Sequence, residues 1–215
     1  MKRCLIVLIF LVFILTACGS VDLDAPAPVF DTGVDPESWA TIPAGEFVHG
    51  QFDEPALIDY DYEMMVTDVT NAQYAAFLNA AIEDGTASIT DHQVQGYYAG
   101  DKFNGGRHEV EIPAGDYIYI PINDPALRLL FEDGTFSAKT DWVNHPMTMV
   151  SWFGAKAYCE YYGWHLPTEL EWEKAARGTD NRPFPWGETI ARNNANAIAS
   201  RDPFEDMSSF GSRTT

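Results

Sequence analysis

Thiols, imidazoles and carboxylates are the groups in this sequence that could carry chemistry, and their spacing separates reactive settings from structural ones. Cysteines stand at positions 4, 18 and 159. A nucleophilic or metal-binding thiolate needs nearby positive charge or a His partner, and some exposure. Cys159 instead lies between Tyr158 and Tyr161-Tyr162 on the apolar side of a helical pattern, the setting of a core residue. The histidines at 49, 92, 108, 145 and 165 have no metal-ligand spacing, and no HExxH, paired CxxC or Gly-rich phosphate loop occurs. His145 precedes a proline in an apolar setting and reads as a hydrogen-bonded structural imidazole. Glu169, Glu171 and Glu173 crowd the start of a helix. Acids there complement the positive end of the helix dipole, and a capping box gives Glu171 a structural task. There remains the loop from Asn196 to Asp206, whose amide oxygens, backbone carbonyls and carboxylates suit a hard cation such as Ca²⁺.

The charge balance narrows the classes of function. Thirteen Lys and Arg against 32 Asp and Glu give a formal charge of −19. Such a chain repels phosphate backbones and anionic lipid surfaces, which excludes nucleic-acid binding driven by counterion release. Thirteen Phe, ten Tyr and six Trp are core-building residues that disordered chains lack. Three cysteines are too few for a disulfide-stapled miniprotein.

Cys18 has a reading of its own. Lys2 and Arg3 precede an apolar run, Leu5 to Leu15, that falls well short of the roughly 20 residues needed to span a bilayer as a helix. Small residues then lead to the cysteine, so residues 1–17 read as an export signal. Leu15-Thr16-Ala17-Cys18 resembles the bacterial lipobox, in which the cysteine thiol is lipidated and becomes the new N-terminus. Cys4 falls inside the signal as a small apolar residue. Cleavage removes Lys2 and Arg3 and no acid, so membrane attachment must come from lipid at Cys18 and not from charge. Residues 18–37, rich in Asp, Pro and Gly, form a solvated tether. The expected location is the cell envelope, membrane-anchored and facing periplasm or exterior.

The elements that must position these groups begin at Trp39. Ile42 and Phe47 flank Pro43-Ala44-Gly45 and predict two short strands around a tight turn. Thr70-Asn71-Ala72-Gln73 is a capping box, followed by Tyr74, Phe77, Leu78 and Ala81 at helical spacing, with an end near Glu83 to Gly85. Residues 86–140 carry short β-like runs such as 110–112 and 117–122 and no long helix. Ser151 caps a helix bearing Trp152, Ala155, Cys159 and Tyr162 on one side, with Gly163 as its left-handed stop. Thr168 to Glu171 is a second capping box, before a helix whose buried stripe is predicted as Trp172, Ala175 and Ala176. With no repeat and no second linker, residues 38–215 read as one domain.

Several segments then occur together in one order: Ile42-Pro43-Ala44-Gly45-Glu46-Phe47; Val69-Thr70-Asn71-Ala72-Gln73-Tyr74; His145-Pro146 with Val150-Ser151-Trp152; Ala157-Tyr158-Cys159; Leu166-Pro167-Thr168-Glu169 with Glu171-Trp172-Glu173; Ala175-Ala176-Arg177-Gly178; and Pro185-Trp186-Gly187. This series, from about residue 39 to 197, resembles the formylglycine-generating enzyme family, or sulfatase-modifying factors. The resemblance implies an irregular, loop-rich α+β fold related to C-type lectins, with structural calcium. It also implies an oxygen-dependent oxidoreductase that converts a protein cysteine to formylglycine at a copper ion held by two cysteines, with a sulfatase or other exported protein as partner. Those cysteines, a Gly-Asn-x-Trp-Glu-Trp motif and an Arg-Gly-Gly-Ser segment belong to the family's C-terminal third and have no counterpart here. The 215 residues are therefore expected to be the N-terminal two-thirds of the domain, inactive alone. A non-catalytic surface lipoprotein using the scaffold for binding or assembly is the alternative.

At residue level the resemblance assigns a calcium site to Asn196 and the Ala197 carbonyl, completed by Asp202, Glu205 or Asp206. It matches Cys159 to a position that in some members pairs with a cysteine near the domain's end. His165 stands where the family usually has Arg, which leaves the local ion pairing open. If calcium is held, adding it should raise the melting temperature of the folded chain and a chelator should lower it, because a ligand of the native state alone stabilises by mass action. Equal melting curves with and without chelator would count against the site.

Overall fold

A capped amphipathic helix gathers a set of short strands that are each too small to stand alone. The computed structural model describes residues 34–102, 111–189 and 194, and its elements fall within one compact unit, 27–190. The chain opens with strands β1 (Trp39–Ile42), β2 (Gly45–His49), β3 (Glu54–Ile58) and β4 (Tyr62–Met65), followed by helix α1 (Asn71–Glu83). Next come β5 (Ala87–Thr90), β6 (Gln93–Tyr98), β7 (Asp101–Lys102), β8 (Glu111–Ile112), β9 (Gly115–Pro121), β10 (Leu129–Glu132) and β11 (Thr135–Ala138). A 3-10 turn (Thr140–Trp142), α2 (Trp152–Tyr161) and α3 (Glu169–Arg177) complete the described elements. All strand pairs are antiparallel, and no sheet among the described residues exceeds the three strands β5, β6 and β9. This is the irregular, loop-rich α+β architecture. No described helix is long and apolar enough to cross a membrane.

The strands predicted around Pro43-Ala44-Gly45 form, but not as a hairpin with each other. β1 pairs with β4 and β2 with β3. The intervening turn is pinned instead: the Ala44 N–H donates to the Asp61 carboxylate at 2.7 Å, and the Pro43 and Gly45 carbonyls accept from Lys174. A local turn that spends its polar groups on distant partners leaves its two strands free to pair elsewhere.

α1 behaves as its sequence demands. Thr70 Oγ1 accepts from the Gln73 N–H, and Gln73 Oε1 accepts from the Thr70 N–H at 2.8 Å. Tyr74, Ala75, Phe77, Leu78 and Ala81 are buried against Val94, Tyr119, Ile120, Leu129, Phe136 and Tyr158. Burying a Phe or Leu contributes about 1.5–3 kcal/mol each, so this helix face is the main stabilising surface. Tyr158 stacks on Tyr74 with ring centroids 5.8 Å apart and meets Phe77 edge-on at 5.5 Å.

The start of α1 is also locked from outside. Asn71 is fully buried, and its Nδ2 donates to the carbonyls of Trp142, His145 and Pro146 at 3.0, 2.9 and 3.3 Å. The Asn71 and Ala72 N–H groups, which a helix leaves without internal acceptors, donate to His145 and Val143 carbonyls at 2.9 and 3.1 Å. The expected hydrogen bond to the His145 ring is not seen at Nε2, which is buried without a partner among the described residues. Its backbone carbonyl is engaged with Asn71, while its ring leans on Trp142 at 4.9 Å, an apolar surface that offers no acceptor.

α2 starts at Ser151, which accepts from the Gly154 N–H, and ends before Gly163 at φ 79°. Its inward face differs from the predicted one. Gly154 and Tyr158 are buried, whereas Trp152 is 51% exposed. A Cβ on Gly154 would lie 2.9 Å from the Tyr119 backbone and 2.6 Å from the Tyr74 hydroxyl. The helix therefore touches β9 through a residue with no side chain, which apolar periodicity does not register. Gly154→Ala should destabilise the protein by about 1–3 kcal/mol through overpacking, measured as a lower midpoint in urea unfolding.

Candidate functional site

The polar groups with the most constrained surroundings lie on and around α3. Thr168 and Glu171 form the predicted capping box: Glu171 Oε2 accepts from the Thr168 N–H at 2.8 Å and from its hydroxyl at 2.9 Å. The predicted buried stripe is not what faces inward. Trp172 is 61% exposed, while Glu171 and Lys174 are 2% and 1% exposed. The inward face meets phenols and backbone carbonyls, so charged side chains find partners there that an indole would leave unmatched.

Glu171 Oε1 accepts from the Tyr60 hydroxyl at 2.9 Å, and the Tyr62 hydroxyl donates to the Glu171 backbone carbonyl at 2.6 Å. His165 Nε2 lies 3.3 Å from both carboxylate oxygens, so the imidazole takes up the local ion pairing with this acid. Lys174 Nζ donates to the Pro43 and Gly45 carbonyls at 2.6 and 3.1 Å and sits 5.8 Å over the Phe47 ring. At the end of α3, Arg177 binds Glu173 and Asp53, each at 2.8 Å, and Glu173 also accepts from the Gly50 N–H at 2.8 Å. One helical segment thus fastens the turn before β2, the turn after β2 and the stretch before β4.

The electrostatics follow from these contacts. Burial pushes the Glu171 carboxyl up, but donors from Thr168, Tyr60 and His165 outweigh it and hold the group below the ordinary carboxylate value. Glu173 is held low by its bond to Arg177. Burial and then the Glu171 charge push Tyr62 up to about 12. Burial pushes the Cys159 thiol up, with Glu160 adding to it, so the half-buried thiol stays protonated as expected of a core cysteine.

Of the three glutamates on α3, Glu171 and Glu173 are committed to these structural partners. Pro167, Glu169, Trp172, Arg177, Pro183 and Pro185 line an open cleft of about 560 Å³ beside them. No group of three His, Cys, Asp or Glu side chains with metal-binding geometry occurs among the described residues. Cys159 alone, with its thiol disfavoured as thiolate, does not fit a copper ion held by two cysteines. Cys18, Asn196, Ala197 and Asp202, with the alternatives Glu205 and Asp206, lie outside the described residues. Asn71, Tyr60, Tyr62 and Lys174 were not singled out from sequence. Asn71 hid inside a capping box, and a lysine three residues after a capping glutamate carries no distinctive signal.

These observations define a loop-rich α+β scaffold domain with a charged, buried fastening at its third helix. The model of the sulfatase-modifying factor enzyme 1-like domain matches residues 28–214, and the chain belongs to that family. The formylglycine-generating enzyme of Bos taurus is 30% identical over 192 residues, covering 81% of this chain and 47% of that protein. The formylglycine-generating enzyme of Thermomonospora curvata is 36% identical over 129 residues, covering 57% of this chain and 39% of that protein. The inactive C-alpha-formylglycine-generating enzyme 2 of Bos taurus is 38% identical over 79 residues, 36% of this chain and 26% of that protein. The chain spans less than half the length of these curated relatives.

The fastening predicts an acid dependence. The folded-state value of Glu171 lies below its ordinary 4.5, so the unfolded carboxylate takes up a proton first as pH falls. Stability from Glu171 is complete above that range and is lost as pH drops through and below it. Glu171→Gln should cost about 1–3 kcal/mol at neutral pH, because an amide presents donors to donors, and should flatten the acid limb of a stability-versus-pH curve.

Proposed function

We propose that the protein is an exported, lipid-anchored member of the sulfatase-modifying factor family, and that the residues described here form the scaffold part of a domain that converts a cysteine of an exported protein to formylglycine. The observation that carries this reading is the family match across residues 28–214. The formylglycine-generating relatives support the reaction, and the lipobox-like Leu15-Thr16-Ala17-Cys18 supports the anchor. In this reading Lys174, Glu171 and Arg177 act as positioning residues. They hold the β1–β4 segment on α3 and touch no reacting atom. In the same reading Asn196, Ala197 and Asp202 would hold calcium.

A second reading, a non-catalytic envelope protein using the scaffold for binding or assembly, is favoured by two observations. One relative is named an inactive enzyme, and the described cysteine does not fit copper. One experiment addresses both readings, on protein expressed from its own gene in its host and purified from the membrane fraction. Incubated in air with copper and a peptide bearing a sulfatase-type cysteine motif, it should generate an aldehyde that a hydrazide probe captures, and Cys18→Ala should move the protein out of the membrane fraction. Membrane anchoring without aldehyde would favour the binding role, and loss of both would overturn the proposal.

A further inference from the structure

We infer that the contact between residues 142–147 and the first turn of α1 is an acid-sensitive latch, with His145 as its sensing side chain. Six backbone-directed hydrogen bonds close the latch: three from Asn71 Nδ2, one each from the Asn71 and Ala72 N–H groups, and one from the Met147 N–H to the Val69 carbonyl at 2.8 Å. Inside it, two acceptor-capable atoms, Asn71 Oδ1 and His145 Nε2, are buried without partners among the described residues. A ring nitrogen buried without a partner has nothing to offset a new charge, so protonation there is costly.

Among the described residues, the surroundings disfavour a proton on the imidazole through its burial and the Arg128 guanidinium. From the segment before β10, the Arg128 guanidinium lies 4.0 Å over the Trp142 ring on which His145 leans. From α1 comes the positive end of the helix dipole, with no acid in its first turn to offset it. The acids nearest in sequence, Asp68 before α1 and Asp141 on the 3-10 turn, are both exposed. In agreement, burial and then Arg128 hold the His145 imidazole below its ordinary 6.5.

The sign follows. Above its ordinary value the imidazole is neutral whether the latch is open or closed, and pH has no effect through it. As pH falls through 6.5 the open form accepts a proton that the closed form refuses, so opening grows by up to about tenfold per pH unit, levelling off once the closed form protonates too. Opening frees the α1 donors and loosens the segment that leads through Ser151 into α2. For a protein expected in the cell envelope, this couples local order to external acidity.

The test is NMR on the full chain from pH 8 to 5, following the His145 ring and amide exchange at Asn71, Ala72 and Met147. The ring should titrate below 6.5. Protection at the three amides should fall by up to about tenfold per pH unit below that value. His145→Gln should remove this pH dependence, and Arg128→Gln should move the ring titration upward. If His145→Gln does not fold, the ring titration and amide protection of the unsubstituted chain still decide the matter. Titration at or above 6.5 with protection unchanged, or the same pH dependence in His145→Gln, would overturn the latch.

Discussion

Two full charges, Glu171 and Lys174, lie beneath α3 at 2% and 1% exposure, and the arrangement of the N-terminal strands depends on satisfying them. Desolvating an ion costs several kcal/mol, returned only when its hydrogen-bonding capacity is met. Glu171 meets its own through Thr168, Tyr60 and His165, and Lys174 through the carbonyls of Pro43 and Gly45. Of these partners, Pro43, Gly45 and Tyr60 come from the turn between β1 and β2 and from the residues before β4. The helix thus fastens the turn at which the pairing divides, β1 with β4 and β2 with β3.

The apolar core and this polar fastening divide the work. α1 brings Tyr74, Phe77 and Leu78 to β6, β9, β11 and α2, a cluster held by non-directional burial. Burial alone would not fix how the irregular connections lie across it. Directional contacts do that at two places, the Asn71 contacts with residues 142–146 and the α3 contacts with residues 43–62. Gly154 contributes by having no side chain, letting α2 lie directly on β9. Where the described sheets have only two or three strands, such contacts take the place of a large sheet.

The chemistry-bearing residues were legible to different degrees. The capping roles of Thr70, Ser151, Thr168 and Glu171 were readable, because a cap is set by residues three apart. The core character of Cys159 was readable from its aromatic neighbours. Asn71 and Lys174 were not, since their partners lie some seventy and a hundred and thirty residues away and follow no period. Trp172 was misplaced for a related reason. An apolar residue at helical spacing is assigned inward by default, and only the identity of the facing surface reverses it.

By itself the sequence determined the helix starts, the aromatic core of α1, the short-stranded α+β class and, through the order of its motifs, the family. Each depends on neighbours within a few residues or on a pattern along the chain. The tertiary structure alone decided which strands pair, that α3 turns its charges inward and its tryptophan outward, and that Asn71 and His145 meet. Those outcomes depend on which distant carbonyls, phenols and guanidinium groups are brought together, and a buried polar group is stable only where its particular partners arrive.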